Sequence, residues 1–144
     1  VNELFNIGST IGAYIIFPNN MINGRQNINQ ARGINSLIDD RFDLTLECIR
    51  RFYIGESNPL YDTLLRYKSF FDLFNDFSEY IDFFLLNDLV DDNNMIRFYL
   101  PFDGFHTRPV FSNIDQYLLY KDRVVDFIRS RNERIERYVN SILE

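Results

Sequence analysis

His106 is the single histidine of the chain, and Asp103 stands three residues before it in FDGFHTRP. Imidazole is the one side chain whose ordinary pKa lies near neutrality, and a nearby carboxylate can orient it. Asp103 and His106 are therefore the candidate catalytic pair, in general acid–base work. The competing reading makes His106 structural. No spacing marks a nucleophile to complete a triad, which is recognised by geometry in any case. A second group is rich in arginine. The stretch YIIFPNNMINGRQNINQARG (14–33) holds Arg25, Asn29 and Arg32 and no acid at all, in a chain of net charge −6. With Arg108 these residues form a candidate ligand-binding set. The guanidinium is a planar fork of donors suited to carboxylate or phosphate, and the amides add neutral donors. The expected partner is an anionic small molecule, or an acidic group on a protein. The competing reading pairs Arg32 with Asp39, Asp40 or Glu47, and Asp103 with Arg97 or Arg108, as ion pairs that organise the fold.

Other chemistry lacks its residues. There is no Gly-rich phosphate loop, dinucleotide fingerprint or calcium-loop spacing. One Cys and one His cannot build a Cys/His zinc site. Neither a cofactor nor a metal is expected.

Two apolar runs would position the candidate groups. Thr10–Phe17 (TIGAYIIF) and Met95–Leu100 (MIRFYL) are β-branched and aromatic, and a proline closes each. Both hand over to polar loops that carry arginine, the first through an Asn23-Gly24 turn. If the two are parallel strands, the loops meet at one end of a sheet, and Arg25, Arg32, His106 and Arg108 face one cavity. Antiparallel strands would separate them.

The remaining elements read as helices. One is expected over 27–38, interrupted by Gly33, and another over 40–54, where Phe42, Leu46, Ile49 and Tyr53 recur at helical spacing. Asp43, Glu47, Arg50 and Arg51 make its only polar stripe, and Gly55 is its expected cap. Further helices are expected over 60–74 and 76–87. A long one, capped by Asn113, runs almost to the C-terminus. Its apolar seam (Ile114, Leu118, Val125, Ile128, Ile135, Val139, Ile142) is either core or the contact of a homodimer, with Lys121 and Asn132 in register. Arg123, Arg131, Arg134 and Arg137, beside Phe127 and Tyr138, read as a basic face, solvated or able to meet phosphates. The expected fold is α+β and predominantly helical: a small sheet of two or more strands packed against several helices, in one domain spanning 1–144.

Composition sets the class. The 144 residues are 46% hydrophobic and 17% aromatic, which suits one globular domain with a large core. The negative net charge argues against general nucleic-acid affinity. Cys48 is alone, so no intramolecular disulfide forms, which fits a reducing, cytoplasmic setting; it reads as a buried, inert thiol. No apolar run approaches the roughly 20 residues that span a bilayer, so no membrane is expected. The first residue is Val1 rather than Met, and the chain reads as a portion of a longer protein.

TIGAYIIFP (10–18), INQARG (28–33) and DRFDLTLECIRRFY (40–53), together with YIDFFLLNDLVDD (80–92) and RFYLPFD (97–103), resemble an uncharacterised family of bacterial hypothetical proteins. The resemblance covers most of the chain and implies no particular activity. It implies an upstream part with aromatic, Lys- and Trp-containing motifs, to which this chain would be the C-terminal portion. The leading expectation is a bacterial cytoplasmic binding domain for an anionic ligand or acidic partner group. The alternatives are a hydrolase or transferase acting on a nucleotide or nucleic acid through His106, and a structural domain that dimerises through its last helix.

Overall fold

In a computed structural model, the described residues are 2–8 and 10–143. Val1, the residue on which the reading of a longer protein rests, lies outside them. Seven α-helices follow in chain order: α1 (Asn2–Ile7), α2 (Ile28–Ile34), α3 (Phe42–Tyr53), α4 (Tyr61–Arg66), α5 (Lys68–Phe71), α6 (Phe77–Phe83) and α7 (Ile114–Leu143). Short 3₁₀ turns lie at Ile11–Ala13 and Asn87–Leu89.

The expected α+β fold is overturned. Among the described residues there is no β-strand and no sheet, only isolated antiparallel bridges at Ile22–Arg25 and Val90–Ile96. The reason lies in where the carbonyls go, since every buried backbone acceptor needs a donor. In TIGAYIIF, residues 11–13 coil into the 3₁₀ turn. The Gly12 amide donates to Asn132 Oδ1 at 2.6 Å, and a Cβ on Gly12 would stand 2.6 Å from the Ile128 carbonyl oxygen. Only glycine allows so close an approach to α7. The carbonyls of Gly12 and Tyr14 accept from the guanidinium of Arg131. In MIRFYL, the ladder stops after one bridge, and Arg123 donates to the carbonyls of Phe98 (3.2 Å) and Tyr99 (3.0 Å). Arginine side chains of α7 thus stand where a neighbouring strand was expected. With no parallel strands, the route by which two loops were to converge is also lost.

The chain forms two compact units. The first comprises Val1–Ile15, Ile81–Pro101 and Phe111–Glu144. Here α7 buries Val125, Phe127, Ile128 and Arg131. Phe127 and Arg131 therefore belong to the interior and not to a basic face. The expected seam is core only along its middle, for Ile114, Leu118, Val139 and Ile142 are exposed. Asn113 caps α7 as expected, accepting from the Gln116 amide at 2.9 Å while Gln116 Oε1 accepts from the Ser112 amide.

The second unit comprises Ile16–Tyr80 and Phe102–Val110. A capping box, Asn27 with Gln30, opens α2. Asn23 and Gly24 turn the chain with positive φ at both, as the hairpin-type Asn-Gly turn requires. Every residue of α3 from Asp43 to Ile49 is buried. The helix ends at Gly55 with φ +76°, where a side chain would be strained. Rings of Phe52, Tyr53, Phe71, Phe74, Phe77 and Tyr80 pack around its C-terminal end at centroid distances of 5.5–6.4 Å. The single helix expected over 60–74 divides at Tyr67, whose hydroxyl donates to the Asn20 carbonyl.

Candidate functional site

The polar stripe of α3 is the starting point, because its charges are buried and burial requires partners. Asp43, wholly buried, accepts from Arg41 Nε at 3.0 Å and Nη2 at 2.5 Å. Glu47 is almost wholly buried and serves two arginines: Arg50 Nε (2.7 Å) and Nη2 (2.9 Å), and Arg51 Nε (2.9 Å). The bidentate bonds to Glu47 push the Arg50 pKa further up, against the desolvation that would lower it. Between these acids and bases sits Cys48, whose thiol is pushed up to about 12 by burial, so it stays protonated and unreactive.

Arg51 engages Glu47 through Nε alone and remains 25% exposed. Its guanidinium carbon lies 5.0 Å from the centroid of the Phe105 ring and 6.0 Å from that of Phe102, within cation–π range. Those two rings meet edge to face at 4.9 Å. They belong to the segment FDGFH, which turns at Gly104 with φ +147°. The His106 imidazole packs on this glycine so closely that a Cβ there would be 2.4 Å from Nε2. The backbone angle favours glycine, and a Cβ there would make the exposed imidazole swing aside.

Arg51, Ser57, Asn58, Asp103, Phe105 and His106 line one open cavity of about 500 Å³. The candidate pair Asp103 and His106 shares this wall, both side chains exposed, and no hydrogen bond joins them among the described residues. Arg25, Asn29, Arg32 and Arg108 are not among its lining residues. Arg32, only 11% exposed, donates from Nε to Thr45 Oγ1 (2.9 Å) and pairs through Nη1 with Asp40 (3.0 Å), one of the pairings weighed from sequence. Arg108, 63% exposed, approaches the adjacent Asp39 at 3.5 Å. Arg32 and Arg108 therefore serve one turn, in which Asp39 and Asp40 both have positive φ, and each is matched by a carboxylate. Arg25 follows the Asn23-Gly24 turn and Asn29 lies in the first turn of α2, both exposed and without side-chain partners among the described residues.

Arg51, Ser57 and Asn58 were not anticipated. The signal available was the stripe itself, since four charges on an otherwise apolar helix must pair, and two bases sharing Glu47 leave donors over.

Fold and site together define a helical protein with an arginine-anchored polar cavity. The chain belongs to a family of unknown function (DUF6994), which matches it over residues 1–135. No curated protein and no solved structure matches it. Among the described residues, no helix is long and apolar enough to cross a membrane.

Proposed function

We propose that the second unit is a binding module that takes a small anion, or an acidic group on a partner, in the cavity at Arg51. One observation supports this above the others. The Arg51 guanidinium is held by Glu47 along one edge and by the Phe105 ring on its face, while its terminal nitrogens have no acceptor among the described residues. A fork fixed in this way binds without first losing rotamer freedom. The Asn58 amide and the His106 imidazole stand beside it as further donors. Two arginines against Glu47 leave one positive charge, and Asp103 opposes a dianion, so carboxylates and phosphomonoanions fit best. A bacterial cytoplasmic setting belongs to the same proposal, in keeping with the lone thiol and the family resemblance. The test is calorimetric titration with acetate, inorganic phosphate and nucleoside monophosphates. Arg51→Gln is expected to weaken binding by about ten-fold or more, roughly 1.4 kcal/mol, whereas Arg32→Ala leaves it unchanged because Arg32 is engaged by Asp40. Absence of saturable binding, or equal binding by the Arg51 variant, contradicts the proposal.

A catalytic reading rests on Asp103 and His106 sharing that wall. His106 would act as general acid or base on a nucleotide or nucleic-acid phosphoryl group, with Arg51 offsetting developing negative charge. Release of phosphate or nucleotide by the wild-type chain, lost in His106→Gln, is its expected signature.

A further inference from the structure

A separate cavity of about 510 Å³ lies in the first unit, between the 88–99 segment and α7. This is within the roughly 300–1,000 Å³ usual for small-molecule sites. Two arginines line it, and each is fixed at one end by backbone. Arg97 Nε donates to the Val90 carbonyl at 3.1 Å, and Arg123 Nη1 donates to those of Phe98 and Tyr99. The Nη atoms of Arg97, and Nε and Nη2 of Arg123, have no acceptor among the described residues. The same cavity holds two carboxylates of different standing. Asp88 is matched by Arg134 in a two-bond pair at 2.9 and 3.1 Å. Asp126 is exposed and has no hydrogen bond or ion pair among the described residues. Arg123 and Asp126 are three residues apart on one helix, a spacing at which such groups often pair, yet they do not. Tyr99 and Phe127, 6.4 Å apart between ring centroids, give the cavity an aromatic wall, and Ser130 adds a hydroxyl.

Arg97, Arg123 and Asp126 are all exposed and line an open cavity without neutralising each other, so a ligand that carries both signs itself would match them. We propose that this cavity binds a free α-amino acid. Its carboxylate takes the open N–H groups of Arg97 and Arg123, its ammonium takes Asp126 with the Ser130 hydroxyl, and an apolar or aromatic side chain lies against Tyr99 and Phe127. A simple anion would satisfy the arginines and leave Asp126 repelling it. A simple cation would do the reverse. The site is independent of the Arg51 cavity and of the function proposed for it.

The test titrates the full chain with each of the standard L-amino acids, by calorimetry and by chemical-shift mapping. For any that binds, the N-acetyl and the carboxamide derivatives follow. At least one amino acid with an apolar or aromatic side chain is expected to saturate, with shifts at Tyr99, Arg123 and Ser130. Removing either charge is expected to weaken it about ten-fold or more, the scale of one lost charge-assisted contact. Asp126→Asn, an exposed substitution, is expected to weaken the free amino acid to a similar degree and to leave the N-acetyl derivative unchanged. The comparison of derivatives on the wild-type chain does not depend on that variant. Saturation by no amino acid, equal affinity for the N-acetyl form, or indifference to Asp126→Asn overturns the proposal.

Discussion

Helices α3 and α7 both draw arginines out of water, half-buried Arg50 and Arg51 on the first and buried Arg131 on the second, and they use them in opposite ways. On α3, Arg50 and Arg51 meet Glu47, and Arg41, just before the helix, meets Asp43, so each base finds a carboxylate within four residues. On α7, Arg123 and Arg131 meet backbone. Arg131, 5% exposed, donates to the carbonyls of Gly12, Tyr14, Phe84 and Leu85. The first arrangement secures one helix and leaves the terminal nitrogens of Arg51 without an acceptor among the described residues. The second ties irregular segments, distant in sequence, to the helix. An arginine fork matches carbonyls as well as carboxylates, so it can substitute for a sheet neighbour wherever a segment has acceptors but no strand beside it.

The contrast predicts an order of effects. Arg131→Met is expected to be the most damaging, by about 3–5 kcal/mol in denaturant unfolding, because one buried and three part-buried carbonyls lose their donor, at about 1–3 kcal/mol where burial is complete and less elsewhere. Arg131→Lys should recover only part of this, since a single ammonium has no planar fork. A loss below that of Arg123→Met would break the distinction drawn here. Glu47→Gln comes next. It leaves two arginines facing a neutral amide, and their partial exposure brings the cost below that of a fully buried pair, to about 2–3 kcal/mol.

Cys48 gives a smaller, pH-dependent effect. Its folded pKa of about 12 lies above the ordinary value of 9.0. Below pH 9 both folded and unfolded chains keep the proton, and that share of stability is fully present. From pH 9 towards 12 the unfolded chain releases a proton that the folded chain retains, so stability falls as pH rises, by up to about 1.4 kcal/mol per pH unit. Unfolding midpoints measured across that range should fall less steeply for Cys48→Ala. Tyr53, whose pKa is also raised by burial, contributes to the slope that remains. Arg108→Ala should change stability least, within about 0.5 kcal/mol, because its pair with Asp39 is exposed.

The same contrast explains what could be read from the sequence. Local signals held: the Asn113 cap, the Asn23-Gly24 turn, the Gly55 terminus and the apolar periodicity of α3 all act through residues a few positions apart. The pairing of Arg32 with Asp40 was among the alternatives for the same reason. The supposed strands failed because a β-branched, aromatic run shows only that a segment is extended and partly buried. It does not show what accepts or donates along its backbone. The partner of the Tyr14 carbonyl lies 117 residues away, on Arg131, which in sequence is one more basic residue on a helix. The cavity at Arg51 was half legible. FDGFH drew attention to Asp103 and His106, but the guanidinium beside them comes from a helix about fifty residues earlier, and nothing in the spacing of its polar stripe tells that Arg51 meets these rings.

Amide hydrogen exchange at Ile15, Ile16 and Phe17, followed by NMR on the intact chain, tests the central claim most directly. If the guanidinium of Arg131 replaces a sheet neighbour, these amides, which have no backbone acceptor among the described residues, exchange quickly and show no cross-strand Hα contacts. Slow exchange alternating along 14–17, with such contacts, would establish the sheet and contradict the account.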